Sequence, residues 1–168
     1  QQLLSGIAEL GILSVPPIHQ NNFDVLFRRK EKIVCVTAEN SIFLKGITAP
    51  TLEELAECPL SLSTGCHLMM SKIFAEKSIR PQVLSICTTR TTALRWAEDD
   101  CGVSIVPMEP KEKLPEGLIA KAITGVDTDL YKTVVRVKGR PLSVVAKKFL
   151  QFYSDVRDSE RMIKIKDL

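Results

Sequence analysis

The chain has 168 residues, of which 45% are hydrophobic, 26% charged and 5% aromatic. This is globular composition, which excludes a disordered chain, and no long uncharged span reads as a membrane segment. The net charge of +3 comes from scattered Lys and Arg rather than one basic stretch, so composition alone gives no nucleic-acid-binding surface.

Taken in order, Leu3, Leu4, Ile7 and Ala8 predict the end of a helix, with Gly6 its weak point. Glu9–Leu13 reads as a strand, Val15-Pro16-Pro17 breaks regular structure, and His19–Asn22 forms a polar loop. Phe23–Phe27 and Glu31–Thr37 are both extended, and Arg28-Arg29-Lys30 between them reads as a solvated turn. Ile33-Val34-Cys35-Val36 is apolar without alternation, which predicts a strand buried on both faces. Thr51-Leu52-Glu53-Glu54 is a capping box opening a short helix to about Cys58, where Pro59 stops it. Leu60-Ser61-Leu62-Ser63 alternates as a strand. Thr64-Gly65 then turns the chain into a helix carrying Cys66, Met69, Met70, Ile73 and Phe74 on one face.

The stretch from Leu84 to Pro107 organises the rest. A strand with Leu84, Ile86 and Cys87 runs into the hydroxyl-rich loop Thr88-Thr89-Arg90-Thr91-Thr92, and Ala93, Leu94 and Ala97 recur at helical spacing. Gly102 is the expected left-handed stop of that helix, and Val103–Val106 is a strand ended by Pro107. A proline- and lysine-rich loop leads to strands at Leu118–Ile123 and Leu130–Val137. The final helix has Ser143 as N-cap and Val145, Ala146, Phe149, Leu150 and Tyr153 on its core face, and the tail from Arg157 is expected to fray.

Alternating strands and helices predict an α/β fold with mainly parallel sheets. Extended crossovers near residues 30–40 and 118–130 divide it into two lobes with a cleft between them. In open sheets of this kind ligands sit where strands end and helices begin, because free N–H groups point out there. Two such junctions stand out, Ser63-Thr64-Gly65-Cys66 and Thr88-Thr89-Arg90-Thr91. The plainer reading gives Ser63 or Thr64 a capping role, makes one of the threonines the next N-cap, and leaves Arg90 facing solvent. A thiol in a first helical turn, such as Cys66, is open to a lowered pKa. His67 points away from Cys66, and His19 and His67 are far apart in sequence, so neither a Cys–His pair nor a metal site is expected. The five cysteines, odd in number and without CxxC spacing, read as reduced thiols in a cytoplasmic protein. The chain opens at Gln1-Gln2-Leu3-Leu4, already inside an amphipathic pattern, so a fragment of something longer is expected.

The order of these pieces resembles the effector-binding domain of LysR-type transcriptional regulators. The likeness is carried by Leu10-Gly11-Ile12, by Val25-Leu26-Phe27 through Ile33–Val36, and by Thr51-Leu52-Glu53-Glu54-Leu55 through Pro59-Leu60. It continues in Ala93–Pro107 and in Arg140-Pro141-Leu142-Ser143 through Phe149-Leu150, so it covers nearly the whole chain. Asp99-Asp100-Cys101-Gly102 is more polar than the family's pattern. The resemblance implies two Rossmann-like lobes around a hinge, similar to type 2 periplasmic binding proteins: residues 1–38 and 124–168 in lobe I, residues 39–123 in lobe II, with lobe I incomplete. It implies a small, anionic metabolite in the cleft, touched by Ser63, Thr64, Gly65, Cys66, Thr88, Thr89, Arg90, Thr91 and, near the hinge, Ser14. Arg90 would meet a carboxylate or phosphate of the effector. The implied partners are that effector and further copies of the chain, as homodimer or tetramer, with DNA reached only through a winged helix-turn-helix domain absent from this chain. No cofactor and no membrane are implied. Peroxide-sensing members carry a second cysteine near the position of Phe74 or Ala75, so a disulfide switch is not expected. The alternative is the solute-binding protein of a transport system, against which free cysteines weigh. An enzyme finds no nucleophile–base pair, metal cluster or cofactor loop.

Overall fold

The computed structural model describes residues 1–14, 20–155 and 163–164. The strands are β1 (Leu10–Leu13), β2 (Phe23–Ala38), β3 (Pro59–Ser63), β4 (Gln82–Cys87), β5 (Val103–Met108), β6 (Leu118–Ala122), β7 (Asp129–Val137) and β8 (Ile163–Lys164). The helices are α1 (Leu52–Ala56), α2 (Thr64–Glu76), α3 (Arg90–Glu98) and α4 (Val144–Asp155). By packing, one unit is Glu31–Leu130 and the other is Gln1–Lys30 with Tyr131–Leu168, so the chain changes unit inside β2 and again inside β7. The break at Val15-Pro16-Pro17, His19 and the tail from Arg157 lie outside the described residues.

In the unit Glu31–Leu130, β3 lies between β4 and β5 and is parallel to both, while β2 is antiparallel to β5 and to β6. In this unit the pairings β3–β4 and β3–β5 are parallel while those of β2 with β5 and β6 are antiparallel, so the sheet is mixed. The alternation in β3 predicts one wet face, but all of Leu60–Ser63 is buried. Leu60 and Leu62 pack with Leu55, Cys66, Met70 and Phe74 from α1 and α2. The serine side is covered by α3, because small hydroxyls let the helix approach and bond to it. Ser104 Oγ donates to the Ala93 carbonyl at 2.5 Å, Ser61 Oγ reaches the same oxygen at 3.2 Å, and the two hydroxyls lie 2.9 Å apart. Ala93 and Ala97, both 0% exposed, keep that face of α3 flat enough for the contact.

The capping box on α1 forms as its residues dictate. Thr51 Oγ1 accepts from the Glu54 N–H, and Glu54 Oε2 accepts from the Thr51 N–H at 2.8 Å. The end of α3 differs from expectation. Asp100, at φ +48°, takes the left-handed stop, with the Cys101 N–H returning to the Trp96 carbonyl at 2.9 Å. Gly102 is required for another reason: a Cβ there would lie 2.3 Å from the Pro59 carbonyl oxygen.

In the other unit, β1 pairs antiparallel with β7, from Leu10 opposite Arg136 to Leu13 opposite Thr133, and β7 neighbours β2. Arg28-Arg29-Lys30 is not a turn; it lies within the sixteen residues of β2, where cross-strand partners hold the charges extended. Arg28 stacks 3.6 Å over the Tyr131 ring, and Arg136 donates to Asp24 at 3.0 Å. Leu3–Ala8 closes hydrogen-bonded turns rather than a helix, and Gly6 at φ +82° breaks the run. Ser143 caps α4, accepting from the Ala146 N–H at 3.1 Å. On α4 only Ala146 of the expected core face is fully buried. Leu150 and Tyr153 are half-buried, whereas Val145 and Phe149 are 77% and 43% exposed. Periodicity marks an apolar arc on this helix that is wider than the part its own unit covers.

Candidate functional site

Parallel pairing brings the two strand–helix junctions side by side. Ser63 lies opposite Cys87 in the β3–β4 register, so α2 and the loop before α3 start from neighbouring points. Thr64 stitches them together, its hydroxyl donating to the Cys87 carbonyl at 2.9 Å. That bond removes Thr64 as a cap. Ser63 holds the extended N-cap conformation but makes no side-chain cap bond, because its buried Oγ turns to Cys66 Sγ at 3.4 Å. Neither residue therefore caps the thirteen-residue helix as expected. Among the described residues no side chain caps the first turn of α2, and the positive end of the helix dipole lies at an exposed Thr64 and a half-buried Gly65.

Cys66 points the other way. It is 0% exposed, and its thiol donates to the Ile105 carbonyl at 3.1 Å. Burial pushes this thiol up from the ordinary cysteine range, outweighing the lowering by its hydrogen bond with Ser63, so the expectation of a lowered pKa is corrected. What Cys66 can offer a ligand is its backbone N–H.

At the second junction Thr89 is the N-cap of α3, its Oγ1 accepting from the Thr92 N–H at 3.1 Å. Thr88 and Thr91 are exposed. Arg90 does not face open solvent: its guanidinium is paired with Glu112, whose second oxygen accepts from the Glu109 N–H at 3.0 Å. Arg90 and Thr91 line a hollow of about 380 Å³ with Leu94, Arg95, Glu112 and Pro115, a hollow that includes none of Ser63–Cys66. Ser14 belongs to the other unit, half-buried at a bend after β1. Glu112 is the residue that sequence reading missed, since nothing within the 109–116 segment marks which cation, 22 positions away, it will meet.

The LysR substrate binding domain profile matches residues 1–158. The chain belongs to this family. It is an effector-sensing domain of a LysR-type transcriptional regulator, with the periplasmic-binding-protein-like (type 2) fold of its relatives. The effector binding domain of QuiR in complex with shikimate is 20% identical, with TM-score 0.74, over 95% of this chain and 76% of that one. The regulatory domain of Synechocystis PCC6803 CcmR in complex with 2-PG is 15% identical, with TM-score 0.76, over 95% and 78%. Full-length CbnR complexed with its target DNA is 18% identical, with TM-score 0.68, over 94% of this chain and 55% of that regulator. At these identities the likeness is one of fold. No curated protein matches the chain. Membership in the LysR family sets aside the transport solute-binding reading. Among the described residues no helix is long and apolar enough to cross a membrane.

Proposed function

We propose that this domain senses a small anionic metabolite held at the carboxyl ends of β3 and β4. One observation carries the reading: Ser63 and Cys87 stand in register with Thr64 bonded across them, and among the described residues no side chain caps the first turn of α2. Oriented N–H groups at a helix start favour an anionic oxygen. In this reading Thr64, Gly65 and Cys66 supply backbone N–H groups, and Thr88, Thr89 and Thr91 supply hydroxyls. Arg90 joins them by exchanging Glu112 for the carboxylate or phosphate of the ligand. The shikimate and 2-PG of the related domains support an acid as ligand.

The signal is a difference in affinity. The ligand has to favour one arrangement of the assembled regulator over another, and DNA contact belongs to a domain outside this chain. We further propose self-association through apolar surface left exposed, Leu68, Val83, Leu84 and Ile86 in one unit and Val144, Val145 and Phe152 in the other. Five free cysteines support a reducing, cytoplasmic setting, and no catalytic role is assigned.

Isothermal titration with shikimate, 2-PG and a panel of small organic acids tests the site. Wild-type protein is expected to bind at least one acid saturably, and Thr64→Val to weaken that binding on the order of tenfold. An acid that binds both proteins equally shows that the Thr64–Cys87 bond does not shape the site, and silence across the panel removes the anionic ligand.

A further inference from the structure

At the opposite end of the same sheet, the segment 37–46 and β6 enclose a hollow of about 340 Å³. Val36 lies opposite Ser104, so Thr37 is level with the start of β5, where Leu60, the second residue of β3, lies opposite Val103. Thr64 and Thr88 follow the far ends of β3 and β4, roughly 15 Å away at about 3.3 Å per residue.

The walls of this hollow are fixed. Ser41 Oγ donates to Asp100 Oδ1 at 2.5 Å and accepts from the Phe43 N–H at 3.0 Å, while the Glu39 N–H donates to the Gly117 carbonyl at 2.8 Å. Leu44 is held at φ +54°, a conformation its branched side chain rarely adopts, and its buried side chain keeps it there. The turn aims the Leu44 carbonyl at Lys121 Nζ, 2.7 Å away, which leaves that ammonium two further protons. Thr37 is 1% exposed, and its Oγ1 has no partner among the described residues. Lys45 brings a second ammonium to the rim, Glu39 a carboxylate, and Phe43 and Ile119 an apolar wall.

We propose that this hollow is a second binding site, for a small organic acid with one negative charge and an apolar body. Its carboxylate accepts from Lys121 and from the Thr37 hydroxyl, with Lys45 closing over it, and its body packs on Phe43 and Ile119. Glu39 disfavours a second negative charge on the ligand. The volume lies in the range of small-molecule sites, and a buried hydroxyl without a partner gains most from such a ligand.

Amide-resolved NMR of the full chain, titrated with phenylacetate and isocaproate, tests this. Saturating shifts are expected at Thr37, Phe43 and Lys121, with phenylmalonate binding more weakly and neutral phenylethanol more weakly still. Thr37→Val is expected to weaken phenylacetate binding on the order of tenfold without lowering the melting temperature, and Lys45→Gln to weaken it severalfold. Shifts confined to Thr64–Gly65 and Thr88–Thr89, no shifts with either acid, equal binding of phenylethanol, or unchanged affinity in both variants would each overturn the proposal.

Discussion

The Arg90 guanidinium, on the first residue of α3, is paired with the Glu112 carboxylate, which a hydrogen bond from the Glu109 N–H holds in place. Both side chains are a little over a quarter exposed, so the pair itself adds only about 0.5–1 kcal/mol to stability. Its greater consequence is for binding, since an anionic effector must displace Glu112 to reach Arg90. Glu112→Gln is therefore expected to tighten effector binding severalfold and Arg90→Ala to weaken it. Titration calorimetry on the two variants decides the matter; unchanged affinity in both places Arg90 outside the effector site.

Gly102 sits where the chain passes the start of β3. An added Cβ would meet the Pro59 carbonyl, and φ of +158° disfavours any side chain besides. Gly102→Ala is expected to cost more than about 2 kcal/mol in urea unfolding, through a backbone clash that no rotamer relieves. Gly125→Ala is the control: at φ +77°, with nothing within 4 Å of the added Cβ, it should cost only about 1 kcal/mol. Equal losses in the two variants would show that the Pro59 contact is unimportant.

Local chemistry was legible in advance, and contacts between distant segments were not. The Thr51–Glu54 capping box, the start of α2 at Thr64 and Thr89 among the candidate caps all rest on residues within a few positions of each other. The two strand–helix junctions were legible for the same reason. The periodicity of α4 could not say how much of its apolar arc its unit covers, which is why Val145 and Phe149 were misplaced. The Arg28–Lys30 run looked like a turn because charge marks exposure, and a strand with partners on its neighbours satisfies exposure equally well. The Ser63 cap failed for a long-range reason: burial of Cys66 under β5 draws the serine hydroxyl inward.

Burial also orders the reactivity of the five thiols. Cys101 is exposed, while Cys35, Cys58, Cys66 and Cys87 are buried. Desolvation pushes Cys35 up to about 12 and raises Cys58 and Cys66 as well, which keeps them as unreactive thiols. A disulfide-exchange reagent at neutral pH is expected to titrate one thiol quickly in the native protein and all five in denaturant, and Cys101→Ser to abolish the fast phase. A fast phase that survives Cys101→Ser, and disappears with Cys66→Ser, would restore Cys66 as a reactive centre.

Glu9 and Ser143 give the start of α4 a pH dependence. The Glu9 carboxylate accepts from the Ser143 hydroxyl and from the Ser143 N–H, both at 2.7 Å. These bonds, the hydroxyl's first, hold Glu9 below the ordinary carboxylate value of 4.5 in the folded chain. A depressed folded pKa means that the stabilisation is complete above the unfolded value and is lost as pH falls through the folded one. Wild-type protein should therefore lose stability relative to Glu9→Gln as the pH falls below the ordinary carboxylate value of 4.5, the two curves running parallel at neutral pH. Urea unfolding from neutral pH down through that value measures the difference. Curves that stay parallel down to the acid limit would mean that Glu9 does not hold Ser143 in solution, and that the α4 cap rests on the Ser143 hydroxyl and the Ala146 N–H alone.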